Sequence, residues 1–581
     1  MNEPNIFRRK FSISIIARVD EIISSLSLTG KLVFFVVAAI FMGSAFFMLA
    51  NVSNAYLVAI PRQGGTLTEG AIGMPRFANP VLAVTDGDKD VAALVYSGLL
   101  RHLPGGSFVP DLAESYTVSP DGKIYTFTLR SDVFFHDGKP VTADDVEFTV
   151  HTIQNPAIKS GRFANWEGVS VEKTGDKEIR FTLRQPYAPF VENLTLGILP
   201  KHLWQNLGAE EFTFSSLNMK PIGSGPYQIS AVEKSNDGAP RSVTLEPFAR
   251  YPLGSPSISK IIIRFYPNEK GLVAAYRSGE IESMNSISPN AAADLESSGA
   301  YVVSSALPRV FGVFFNQTEN PILAAKEVRQ ALNMSIDRQF IVDSVLAGFG
   351  KPLTEPVPSE FAVASTSSVP RMTGMTDEAN ALLQKNGWVL NNYGIREKKD
   401  AKGTTTLAFS ISTSDAPELR QTAEILRDKW KQIGVDVTIK VFEGGNLNQN
   451  VIKPRKYDAL LFGQVINRDL DLYAFWHSSQ IADPGLNIAL YGNKAADKFL
   501  EEMRITLDLD KRLQNYAAFA NLVRSDMPAA FLYVPDFIYV VPKKISGLEF
   551  GHIAASSERF SNIFSWYINT DKIWKIFLSK N

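Results

Sequence analysis

Leu32 to Ala50 (LVFFVVAAIFMGSAFFMLA) carries no charge, and nothing else in the chain constrains its topology as strongly. As a helix rising ~1.5 Å per residue, the run is about 28 Å long, close to the roughly 30 Å hydrocarbon core of a bilayer. Arg8, Arg9, Lys10, Arg18 and Lys31 precede it. The positive-inside rule then places residues 1–31 in the cytoplasm and the chain after about residue 55 outside. A cleaved signal peptide is the alternative. Its apolar core is shorter, about 7–15 residues, behind a short basic leader. The long leader favours a retained single-pass anchor over 32–52, while Ser53-Asn54-Ala55 is a small-x-small site that keeps cleavage open. Residues 11–30 have the pattern of an amphipathic helix at the inner face.

A chain of 581 residues is too long for one hydrophobic core, so two or more lobes are expected beyond the apolar run. The net charge of -1 gives no electrostatic case for nucleic acid. There is no cysteine. That excludes disulfides, thiolate metal sites, cysteine nucleophiles and a lipidated N-terminal cysteine. No G-x-x-x-x-G-K-[ST], H-E-x-x-H or G-x-S-x-G occurs, so neither ATP hydrolysis nor peptidase chemistry has a local signature. His102, His136, His151, His202, His477 and His552 are dispersed without metal-ligand spacing. A binding protein without cofactor or metal is expected, rather than an enzyme.

Local pattern is clearest between Ala113 and Val150. Pro120-Asp121-Gly122 is a turn. Tyr125, Phe127 and Leu129 then alternate with Thr126, Thr128 and Arg130, the mark of a half-buried strand. Asp137-Gly138 makes a second turn. Thr142 is placed as the N-cap of a helix with acids in its first turn and Val146, Val150 and Ile153 on one face. Elsewhere, Val91–Arg101 reads as a helix ending near Gly98. Thr406–Ser412 reads as a strand, Pro417 to Gly434 as a helix with its C-cap, and Val435–Val441 as a second strand. That order predicts a parallel crossover unit. Phe531–Val534 and Phe537–Val541 read as two strand-like runs.

The stretch AESYTVSPDGKIYTFTLRSDVFFHDGKPVTADDVEFTV resembles the signature region of the family 5 solute-binding proteins, the extracytoplasmic receptors of ABC importers for peptides, nickel and some sugars. Tyr96-Ser-Gly-Leu99, Pro221-Ile-Gly-Ser-Gly-Pro-Tyr227, Gly279-Glu-Ile-Glu282 and the pair Val328-Arg-Gln-Ala-Leu332 and Ile336-Asp-Arg338 are similar to family elements in the same order. The resemblance runs over roughly residues 63–575. It implies an α/β, two-lobed periplasmic-binding-protein-like fold of the large peptide-binding class, preceded here by one transmembrane helix. The first lobe would be 61–310, with a subdomain inserted at about 100–222. The second would be 311–530, and 531–581 would return to the first. His136, within the family signature, is expected to be structural.

The same resemblance implies a monomeric receptor for peptides, expected to be oligopeptides, with an ABC permease and its ATPase subunits as partners and the bilayer as a third. An oligosaccharide, a nickel complex or peptide binding without transport are the other readings. In peptide-binding relatives an aspartate in a W-x-x-D-Y-x-D-P segment holds the ligand's amino group. The corresponding stretch here departs from that pattern: with Asp471 as the second acid, Arg468 falls at the first position and a shift of one makes it Asp469; Arg468 would suit a carboxylate, and Asn467 is a further candidate. Asp469 or Asp471 could equally cap the adjoining helix. Trp476, His477 and Gln480 come next, with Trp476 either in the cleft or in the core. Phe77, Asn79 and Tyr96 from the first lobe and Asn316 near the crossing complete the expected ligand site.

Overall fold

The computed structural model describes residues 21–104, 106–236, 238–358, 374–401, 403–466, 471–551 and 553–574. It forms two compact units, residues 1–62 with 569–581, and residues 63–568.

In the first unit, residues 21–25 are helical and a second helix runs from Leu28 to Tyr56. Its stretch Leu28–Met48 is long and apolar enough to cross a membrane, a test that a signal sequence also passes. The strand Leu57–Arg62 leaves this helix directly and pairs antiparallel with Asn569–Trp574. Of the inner-face helix expected over 11–30, residues 11–20 lie outside the described residues, and the described part is helical over 21–25 before a break ahead of Leu28.

The second unit is built on a mixed 12-stranded sheet. Its path runs Asp436–Phe442, Ala408–Ser414, Ala459–Val465, Arg309–Phe315, Ala529–Val540, Ser283–Asn285, Thr66–Ile72, Lys260–Tyr266, Pro240–Pro247, Tyr227–Lys234. The long strand Ala529–Val540 belongs to both halves. Its start pairs with Arg309–Phe315, and its end pairs with Val302–Ala306. The two lobes are therefore joined where the chain passes Leu307-Pro308 and again at Pro535-Asp536. The runs expected over Phe531–Val534 and Phe537–Val541 fall in this one strand rather than two, apart from Val541 beyond its end, because Pro535 keeps a ladder partner in Gly350.

The parallel pairing of Ala408–Ser414 with Asp436–Phe442 across the helix Pro417–Lys431 is the crossover unit the sequence predicts. The first strand starts two residues later than expected, since Gly403–Thr406 is taken by a separate small sheet with Arg396–Asp400. Leu419, Ala423, Leu426 and Trp430 form the helix's buried stripe.

In the first lobe an antiparallel sheet of Ala113–Val118, Ile124–Leu129, Glu178–Leu183 and Val169–Gly175 forms the inserted layer. Tyr125, Phe127 and Leu129 face its core, as their alternation requires. The helix Ala143–Gln154 starts after Thr142, whose amide and hydroxyl both donate to Asp145 Oδ2 at 2.9 and 2.8 Å. Distant parts of the chain fill this lobe's core: Leu67 and Val91 share one cluster with Phe560, Ile563 and Trp566.

Candidate functional site

The helix Asp86–Val95 begins with a Thr85–Asp88 capping box and ends before Gly98. It stops early because the Gly225 amide donates to Val95 O at 2.8 Å, and Tyr96 leaves in an extended conformation. A Cβ on Gly223 would sit 2.0 Å from Val95 O, and one on Gly225 2.6 Å from Val95 C. The glycines of Pro221–Tyr227 thus serve close backbone approach. They seat Tyr96 with its hydroxyl buried and without a hydrogen-bond partner among the described residues. Burial alone drives that phenol far above its ordinary pKa, so it is a neutral group.

Tyr96 lines a cavity of about 860 Å³ bounded by both lobes, a size at the upper end of small-molecule sites, roughly 300–1,000 Å³. The first lobe contributes Lys89, Tyr96, Arg101, Asp111, Arg162, Arg184, Tyr187, Glu192 and Tyr251; the second contributes Val465, Ile466 and Arg504; the return segment contributes positions between Ala554 and Phe564, including Glu558. Charges of both signs therefore face one space. Tyr251 donates to Asp111 at 3.2 Å, and burial pushes the Asp111 carboxyl up to about 6. The Arg162 guanidinium lies within the field of Glu192, and that of Arg101 sits 5.1 Å from the centroid of the Phe564 ring.

At one side the lobes touch. Tyr187 donates to Asp471 Oδ2 at 3.1 Å, and the Ala188 amide donates to Arg504 O at 2.9 Å. The Arg504 guanidinium stands 5.2 Å from the Tyr187 ring centroid and 4.6 Å from that of Tyr473, with Nε 3.4 Å from Asp471 Oδ2. Burial, and then the Asp471 charge, raise the Tyr187 pKa, so its hydroxyl stays a donor. A cation held between two rings and a carboxylate closes this edge of the cavity.

Of the residues expected at the site, Tyr96 lies in the cavity wall. Asp471 stands behind it, occupied by Tyr187, Arg504 and the Tyr473 amide at 3.3 Å. Asn467, Arg468 and Asp469 lie outside the described residues; their neighbours Val465 and Ile466 line the cavity. The others are turned to internal work and do not line it. Asn79 is buried, accepting from the Val81 amide and donating to Asn218. Phe77 packs on the first-lobe core. Asn316 donates to Arg455 O and accepts from the Thr318 and Glu319 amides. Trp476 is a core residue, ringed by Phe314, Tyr491, Phe519 and Phe531. His477 bonds Ser479 and Glu501 and stacks on Tyr473; Gln480 donates to Ser479. His136 is structural: the Gly223 amide donates to its Nδ1 at 3.3 Å, and Nε2 meets Gly225 O at 3.1 Å.

Sequence reading missed Arg162, Arg184, Tyr187 and Arg504. Tyr187 carried one usable signal: it sits in Gln185-Pro-Tyr-Ala-Pro189, where two prolines forbid regular structure around an aromatic residue. Arg504 carried none, being one charge among many on the helix Lys494–Ile505.

Comparison with known proteins agrees with this architecture. The oligopeptide-binding protein AppA of Bacillus subtilis is 29% identical over 499 residues, 84% of this chain and 90% of that protein. Its structure in complex with a nonapeptide superposes with a TM-score of 0.66 at 28% identity, covering 88% of this chain and 100% of that one. NikZ from Campylobacter jejuni, solved with Ni(L-His), gives a TM-score of 0.67 at 27% identity, covering 86% of this chain and 99% of that one. The profile of the bacterial extracellular solute-binding proteins, family 5, matches residues 107–483, and this chain belongs to that family of substrate-binding receptors.

Proposed function

We propose that this protein is a membrane-anchored extracytoplasmic receptor that captures oligopeptides between two closing lobes and delivers them to an ABC permease with its ATPase subunits. One observation carries the reading: a cavity of about 860 Å³ walled by both lobes, with an interlobe hydrogen bond at its edge. Closure of this kind is driven by contacts that exist only when both walls meet the ligand. A peptide backbone offers donors and acceptors that suit the Tyr96 hydroxyl. Its charged ends suit walls that carry both arginines and carboxylates. Arg468 and Asp469, next in sequence to the lining residue Ile466, remain candidates for those ends. Asp471 is assigned to closure instead. The helix Leu28–Tyr56 acts as a retained single-pass anchor, which raises the receptor's effective concentration at a permease.

The likeness to NikZ supports a second reading, capture of a preformed metal–amino acid chelate. Its carboxylates would meet Arg162 or Arg184.

Thermal unfolding of the full-length protein against pools of di- to octapeptides, and separately against nickel–histidine, tests both. A ligand at a hundred times its Kd stabilises the folded state by about 2.7 kcal/mol. A shift with a peptide pool supports the first reading. A shift with the chelate alone replaces it with the second. No shift from either, with no ligand released on denaturation, overturns both.

A further inference from the structure

Leu100–His102 and Phe108–Pro110 form a short antiparallel hairpin in which Leu100 faces Pro110 and Arg101 faces Val109. Asp111 continues the second strand, its amide donating to Leu99 O at 3.0 Å. Residues opposite each other share a face of the ribbon, and so do residues two apart on one strand. Arg101 and Asp111 are therefore diagonal neighbours on one face, with backbones about 7–8 Å apart. Both side chains line the cavity between the lobes.

Opposite charges so placed have the reach to close on each other, yet these two are held open. Among the described residues the Arg101 side chain makes no ion pair and no hydrogen bond; its Nε is buried, and its guanidinium sits 5.1 Å from the Phe564 ring centroid. Asp111 is tethered from another side. Tyr251 donates to its Oδ1 at 3.2 Å, and the Tyr251 ring packs on Phe564 with centroids 5.6 Å apart. One phenyl ring thus braces Arg101 directly and Asp111 through Tyr251. Asp111 Oδ2 accepts no hydrogen bond among the described residues, and the Ser97 hydroxyl lies beside the carboxylate short of hydrogen-bond geometry. The unpartnered hydroxyl of Tyr96 belongs to the same wall.

The chemistry of a group that fits this place is narrow. A lone anion meets Asp111, and a lone cation meets Arg101. An uncharged group leaves both charges cut off from water without a counter-charge, which is costly. A group that carries an ammonium and a carboxylate on one carbon answers both: the carboxylate accepts from Arg101, and the ammonium donates to Asp111 Oδ2. That group is the head of an α-amino acid. An ordinary peptide of two or more residues does not possess it, because its amino and carboxyl ends lie on different residues. A peptide joined through the side-chain carboxyl of a glutamate does, and a cavity of about 860 Å³ has room for the remainder.

We propose that Arg101 and Asp111 form a specificity subsite for an intact α-amino acid head group, carried by a γ-glutamyl peptide or by a free amino acid. This rests on the reading of the interlobe cavity as the ligand site. The first lobe then selects the head group by itself, before the second lobe closes on the rest.

A pair of isomers tests it. γ-Glutamyl-leucine and α-glutamyl-leucine have the same atoms and carry the same charges, but only the first keeps an ammonium and a carboxylate on one carbon. Calorimetric titration of the full-length protein with each, and with glutamate, reads the preference. The γ isomer is expected to bind roughly tenfold tighter than the α isomer or better. Asp111→Asn and Arg101→Gln, each shown by its melting curve to be folded, are expected to abolish that preference. Glutamate binding as tightly as the γ isomer keeps the subsite and assigns it to free amino acids. Equal affinity for the two isomers in the parent protein overturns the subsite, whether or not the variants fold. So does a preference that survives in either folded variant. Binding of none of the three by a protein that a peptide pool stabilises overturns the subsite alone and leaves the cavity reading standing. Binding of none of them, with no shift from any peptide pool or from nickel–histidine, overturns the cavity reading as well.

Discussion

Arg559 and Asp90 join through two parallel hydrogen bonds of 2.8 and 2.7 Å, with neither side chain reaching solvent. The same guanidinium meets Glu69 at 2.9 Å, and Glu69 in turn accepts from Tyr539 at 2.9 Å and from Ser283. Burial pushes both carboxyls up while the arginine pulls them down. Burial also opposes the arginine's charge, but the two carboxylates outweigh it and hold its pKa above the usual value. Removing the cation leaves two acids without a counter-charge. Arg559→Met is expected to destabilise the protein by about 3–5 kcal/mol. Denaturant unfolding of variant and parent checks this.

Tyr187→Phe removes the interlobe hydrogen bond to Asp471 but keeps the ring over which Arg504 lies. A hydrogen bond to a charged group contributes about 1.5–3 kcal/mol. At the lower figure the closed-to-open ratio falls roughly tenfold. Small-angle scattering should show a more open form, and bound ligand should dissociate correspondingly faster. A radius of gyration equal to the parent's, together with unchanged dissociation, would remove Tyr187 from closure.

Tyr96→Phe separates binding from stability. The hydroxyl is buried and has no partner among the described residues, and such a group costs about 1–3 kcal/mol. Its loss should leave the ligand-free protein equally or more stable. If the ligand supplies the missing partner, affinity for the peptide that stabilises the parent should fall about tenfold. Paired melting and calorimetric titration read both effects.

His136 sets a pH dependence. Burial lowers its folded-state pKa to about 4 from the ordinary value of 6.5. As pH falls between those values the unfolded chain takes up a proton that the folded one does not. Stability from this group is therefore full above about 6.5 and declines toward 4, by about 3 kcal/mol in all. Asp111 acts with the opposite sign, since its folded pKa is raised to about 6: its contribution is full below its unfolded value and is lost as pH rises through 6. His136→Gln should remove the first slope and leave the second. Unfolding curves at pH 7, 6, 5 and 4 measure it.

The elements of the fold were legible wherever one face of the chain is buried. The alternation at Tyr125, Phe127 and Leu129, the stripe on Pro417–Lys431 and the Thr142 cap all speak through nearest neighbours. Element ends that depend on distant partners did not: the helix after Asp86 stops at Val95 because of Gly225, which no local pattern announces. The site was less legible for the same reason. Asn79, Asn316 and Trp476 are polar or aromatic residues at suggestive places, yet Asn79 and Asn316 each bond a group 139 residues away and Trp476 packs among rings from distant parts of the chain. Tyr187 and Arg504 become neighbours only when two lobes meet. Their chemistry lies in the pairing and in neither residue alone.

The return of the C-terminal segment into the first lobe has a consequence for biogenesis. Glu69 and Asp90 emerge early, but the cation that neutralises them and the Trp566 ring that shares their core are synthesised nearly 500 residues later. At about 5–20 residues per second that is a wait of roughly 25–100 s. Throughout it the first lobe exposes an unfinished apolar core and two uncompensated acids. An exported chain of this design cannot fold lobe by lobe in the order it emerges. The first lobe can complete its core only after the C-terminal segment has been made.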